Sequence, residues 1–148
     1  MKNWALFLTI GASLVLPKAF ADTDDADATI EVLAAISITT QSNLDFGQVF
    51  AGDAGGTLAP GDAGAAEFLV EGAPSETYLV TLPAAPIQMD HPVEADQIEV
   101  SNFVHNATQV LDGVGEELFN VGADYAAIPG THAAGIYTGS FTVEVAYD

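Results

Sequence analysis

The chain has 148 residues, one domain's worth, and sets 21 acidic side chains against two basic ones and no cysteine. Both cations, Lys2 and Lys18, lie near the start, so from Asp22 onward there is no Lys or Arg at all. Such a chain has nothing to displace counterions from nucleic-acid phosphates, nothing to dock on an anionic membrane surface and no clamp for a phosphate or carboxylate substrate. The lack of cysteine removes disulfide staples, thiol catalysis and zinc–thiolate sites.

In chain order, Lys2 is followed by an apolar run from Trp4 to Leu16, then Pro17 and the small-residue pattern Ala19-Phe20-Ala21. This predicts an export signal over residues 1–21, cut after Ala21. The run is too short for a membrane anchor, because ~30 Å of hydrocarbon takes about 20 apolar residues. No direct membrane insertion is expected of the exported chain. Its lysines leave with the signal, and the remainder carries one negative charge for each of its 21 acids.

Residues 22–27 (Asp-Thr-Asp-Asp-Ala-Asp) form an acidic head. From Ala28, the residues Ile30, Val32, Ala34, Ile36 and Ile38 alternate with Glu31, Leu33, Ala35, Ser37 and Thr39. A period of two predicts a strand. This one is long, and a hinge near Ala34-Ala35 divides it into two segments. Leu44 to Phe50 reads as the next strand. Residues 51–65 are rich in Gly, Asp and Ala, and Gly52-Asp53-Ala54-Gly55 is echoed by Gly61-Asp62-Ala63-Gly64. The echo reads as two turns. Further strands are predicted at Ala66–Glu71, Thr77–Pro83, Ile98–His105, Glu117–Ala123 and Ile136–Tyr147, each bounded by turn residues. In the last, Phe141, Val143, Val145 and Tyr147 share one face. Seven to eight short strands with no helical periodicity predict an all-β, antiparallel β-sandwich.

Candidate chemistry is sparse. His91, His105 and His132 lack the nucleophile spacing of a triad and the H-E-x-x-H spacing of a zinc site. The alternating aspartates of residues 22–27, and Asp53 and Asp62, supply oxygen ligands of the kind calcium takes, but the EF-hand pattern is absent. No cofactor and no catalytic residue is expected, and calcium is the one metal the composition leaves open. Asn106-Ala107-Thr108 matches a glycosylation sequon by coincidence. The strand edges say more. An extended alternating segment such as residues 28–40 either pairs within its own domain or adds to another subunit's open sheet edge. A head-to-tail contact of the second kind does not close on itself and builds fibres.

Taken together, Ala28 to Thr39, then Leu44-Asp45-Phe46-Gly47-Gln48-Val49, Phe68 to Gly72, Thr77 to Pro83 and Gly135 to Tyr147 resemble the DUF4402 family of exported bacterial proteins. The C-terminus also resembles that of chaperone–usher pilus subunits. Tyr147 is penultimate, Gly135 is the fourteenth residue from the end, and Phe141, Val143 and Val145 alternate between them. That resemblance implies an immunoglobulin-like sandwich completed by a donated strand. A periplasmic chaperone lends the strand first, and the N-terminal segment of another subunit replaces it at the outer-membrane usher. Carried over, the donor residues are Ala28, Ile30, Val32 and Ala34, and the chaperone and assembly strand is Gly135, Phe141, Val143, Val145 and Tyr147. Residues 22–33 become head and donor, and residues 34–148 the sandwich. The expected function is a structural subunit of an extracellular, pilus-like fibre, whose partners are other copies or related subunits, the chaperone and the usher. The alternative is a non-polymerising surface or periplasmic binding module, with calcium dependence as its mark.

Overall fold

The computed structural model describes residues 22–148; the predicted export signal at residues 1–21 lies outside the described residues. Residues 22–31 form no strand, and each is exposed. From Val32 the chain makes one compact unit. It contains eight strands and no helix: β1 (Ser37–Ser42), β2 (Gly56–Leu58), β3 (Ala66–Glu71), β4 (Tyr78–Thr81), β5 (Ile87–Asp90), β6 (Gln97–His105), β7 (Glu116–Tyr125) and β8 (Glu144–Tyr147).

All pairings are antiparallel. Six strands form one sheet in the order β1-β3-β7-β6-β5, with β2 continuing beside β7 where β3 stops. β4 and β8 form the opposing sheet. The result is an antiparallel, immunoglobulin-like β-sandwich. Alternation decides the faces: Ala66, Phe68 and Val70 of β3 and Phe119, Val121 and Ala123 of β7 are buried, while Leu118, next to Phe119, is exposed. In β6 the alternation is broken once. Asn102 takes φ 52° and shifts the register between Ser101 and Val104. That bulge turns Phe103 and His105 inward after Ile98 and Val100.

The core between the sheets is aromatic. Phe68 stacks on Phe119 with centroids 5.6 Å apart, and Phe141 meets Phe103 at 5.0 Å and Phe68 at 6.3 Å. Tyr78 of β4 is fully buried and donates its hydroxyl proton to Glu117 at 2.7 Å. Burial, then that bond and the neighbouring carboxylate charge, push the phenol well above its ordinary value.

The Ala66–Glu71 strand is found as expected, and those at Thr77–Pro83, Ile98–His105 and Glu117–Ala123 differ by at most two residues at either end. Three expectations need correction. No strand forms over Leu44–Phe50: the Asp45 carboxylate accepts the Gly47 N–H at 2.8 Å, and Gly47 turns the chain with φ 73°, which ends the extended run. The last strand begins at Glu144 rather than Ile136, since Thr138 pairs with Asp90 of the larger sheet instead. Residues 28–36 are not in a strand, and pairing starts at Ser37. β5 was hidden in sequence by its four-residue length and the prolines Pro83 and Pro86 just before it.

The echoed Gly-Asp segments are indeed two turns, built alike. The Asp53 N–H donates to the Phe50 carbonyl at 3.0 Å while its carboxylate accepts the Phe50 N–H at 2.8 Å. Asp62 and Ala59 repeat both bonds at 3.0 and 2.8 Å. These aspartates are engaged in holding turns.

Candidate functional site

The two sheets are unequal, and the inequality locates the site. β4 is flanked on one side by Gln109–Leu111, where the Tyr78 N–H donates to the Gln109 carbonyl at 3.1 Å, and on the other by β8. Among the described residues β8 has β4 on one side and no ladder partner on the other. Across from that bare edge lies β1, which among the described residues pairs only with β3. β1 and β8 are neighbours without being hydrogen-bonded, so an open seam runs between them.

The seam is a wedge. At its narrow end the Tyr147 hydroxyl accepts the Ala73 N–H at 2.6 Å and donates to the Ala34 carbonyl at 2.7 Å. Gly72 makes room for it, since a Cβ there would overlap that oxygen. At its wide end a cleft of about 410 Å³ opens between Ser42 and Leu44 on one wall and Ser140 and Phe141 on the other, with Phe68 and Val100 among the residues at its floor. Residues 139–141 line the second wall, and from Gly139 to Val143 the chain makes no backbone hydrogen bond outside the β4–β8 ladder. The cause is Pro83. The β4–β8 register would set it opposite Thr142, and it has no N–H to give.

Four of the expected assembly residues meet here. Phe141, Val143, Val145 and Tyr147 point into the seam side of the core, but all four remain partly exposed, unlike Phe119 and Val121 across from them. Gly135 does not join them. It sits in a loop against the His91 ring. Of the expected donor residues, Ile30 is 90% and Val32 85% exposed, although both are large and apolar. Ala28 is exposed as well, and Ala34 is fixed by its carbonyl to Tyr147. Sequence reasoning missed the other wall of the cleft, β1 with Leu44, because nothing in a single strand's pattern tells which edge is left without a neighbour.

Each of the three histidine rings bonds the backbone. His91 Nδ1 accepts the N–H groups of Val93 and Glu94 at 3.3 and 2.9 Å, and His105 Nδ1 accepts that of Ala107 at 3.1 Å. His132 bonds the Gln97 carbonyl through Nε2 at 3.1 Å. Tyr137 lies between His91 and His132, its phenol held above the ordinary range by burial and by Asp96. Asp112 accepts the N–H groups of Glu116 and Val114, both at 2.9 Å, and these hold its carboxyl below the usual range. Asp124 is lowered by bonds from Thr57 and Asn102. Among the described residues no group of three His, Asp or Glu side chains is placed to hold a metal ion.

A sandwich with one half-covered sheet and an open seam defines an all-β domain of the immunoglobulin-like kind. The chain belongs to the DUF4402 family, a domain of unknown function, which matches residues 36–147. No curated protein and no solved structure matches it.

Proposed function

We propose that the chain is a structural subunit of an extracellular, pilus-like fibre, assembled by strand donation. Residues 28–34 of one copy lie along the β1–β8 seam of another. The observation that carries this is a pair of matching deficits: a core left half-covered from Phe141 to Tyr147, and a segment outside every strand whose Ile30 and Val32 are almost fully exposed. Burying an Ile or Val side chain stabilises by about 1.5–3 kcal/mol, and the bare edges of β1 and β8 offer main-chain bonds to the incoming strand. The task is binding, with no turnover. Export through the periplasm with a chaperone, then ordering at an outer-membrane usher, belongs to the same reading and draws on the C-terminal resemblance. Copies with no Lys or Arg repel one another, and salt relieves this, since the Debye length is only ~8 Å at physiological ionic strength.

The test is light scattering with negative-stain microscopy on residues 22–148, beside a chain lacking residues 22–33. Fibres or closed oligomers that vanish on truncation are the expected result. A heat-stable monomer from both would remove the fibre reading and favour a self-complete binding module. The chaperone is tested separately: deleting Tyr147 should lower export, and normal secretion of that variant counts against chaperone dependence.

A further inference from the structure

The donor segment and the seam belong to the same chain, which raises the question of why one copy does not close its own seam. We infer that the fold bars this closure, so that the occupant of the seam is a second copy of this chain. The inference rests on the strand-donation reading.

Two independent features carry it. The first is the pin at the narrow end. Through the Tyr147 hydroxyl, the Ala34 carbonyl is tied to the Ala73 N–H, three residues before β1 begins at Ser37. To lie beside its own β1, the segment 28–34 would have to reverse direction between Ala34 and Ser37 in a tight hairpin, and this bond holds the first residue of that turn. The second is composition. Leu33-Ala34-Ala35-Ile36 contains no Gly, Asn, Asp or Pro. Two-residue hairpins need positive φ at their centre, which Asn-Gly supplies and which Cβ-bearing alanine or a β-branched residue resists. Ile36 is also tied down, since its side chain packs against the core and would leave it if the turn formed there.

A strand tethered by a short hairpin meets its seam at an effective concentration on the order of mM. Against micromolar subunits, closure within one copy would therefore win by about a thousandfold if the chain could turn. Polymerisation survives only because the turn is denied.

The experiment converts the hinge into a hairpin. Ala34→Asn with Ala35→Gly is made in residues 22–148, and Ile30→Asp is added in a third variant. Wild type should form fibres. The double variant should be a monomer that melts higher than the same chain with Ile30→Asp, and its residues 28–34 should resist protease. Fibres from the double variant equal to wild type overturn the inference and leave strand donation standing. A monomer whose melting ignores Ile30→Asp also overturns it, because the segment is then not seated. A wild-type chain that never assembles removes both readings. If the double variant does not fold, Asn-Gly inserted between Ala34 and Ala35 puts the same question with every native side chain kept.

Discussion

The β3–β7–β6 side of the sandwich and the β1–β8 side are made from the same kind of residue, yet they differ in how far each core position is closed. Phe119 and Val121 are sealed by strands on both flanks and by the opposing sheet, and each is at most 1% exposed. Phe141, Val143 and Val145 alternate as regularly but stay partly exposed, because β8 around Val145 has a neighbour on one side only and Phe141 and Val143 precede its ladder. Alternation thus specifies which face a residue takes. Closure depends on a neighbour, which the strand's own sequence does not provide.

Variants can break or sharpen this contrast. The largest cost to the fold is expected at the sealed side. Phe119→Ala removes a fully buried ring stacked on Phe68 and should cost about 3–5 kcal/mol. Denaturant unfolding of the isolated chain reads it, and a loss below ~1 kcal/mol would mean that the sealed core is not as tight as its burial indicates. Phe141→Ala should cost less, about 1–3 kcal/mol, because its ring is partly in water while still touching Phe68 and Phe103. Its loss should weigh more on assembly than on unfolding, and equal costs at the two positions would erase the distinction between the sides.

Smaller again is the contribution of Asp112. Its carboxyl is lowered by backbone N–H bonds, so its stabilisation is present above the unfolded value of about 3.9 and fades as pH falls through the lower folded value. The melting temperature of Asp112→Asn should lie below that of wild type at pH 7, with the gap closing as the pH drops below about 4. A gap that does not change with pH would assign the effect to packing. Ile30→Asp and Val32→Asp should leave the unfolding of a single copy unchanged and abolish assembly. Assembly that survives either one places the donor elsewhere.

Much of the sandwich could be read from the sequence, because β3, β4, β6 and β7 are alternating runs bounded by turn residues, and their physics is local. β8 was legible in its facing but not in its length. Its alternation reaches back to Phe141, whereas its ladder stops at Glu144 because Pro83 stands opposite Thr142, a fact of register between distant segments. Leu44 and Phe46 face inward as an alternating strand would, yet the Asp45–Gly47 turn denies them a ladder. The seam was legible from one side alone. Its Phe141–Tyr147 wall follows from pattern, while the β1 wall follows from the order of strands in the sheet.

The paired aspartate turns at Phe50–Asp53 and Ala59–Asp62 bear on how the molecule meets salt water. Folded proteins commonly set surface acids against Lys or Arg, and added electrolyte weakens those attractions as well as the repulsions. From Asp22 onward this chain has no Lys or Arg, and the aspartates of these turns are held by peptide N–H groups at contact distance, where mobile ions intervene little. Electrolyte can then act mainly on the mutual repulsion of carboxylates. Brine, which loosens many surfaces, should tighten this one.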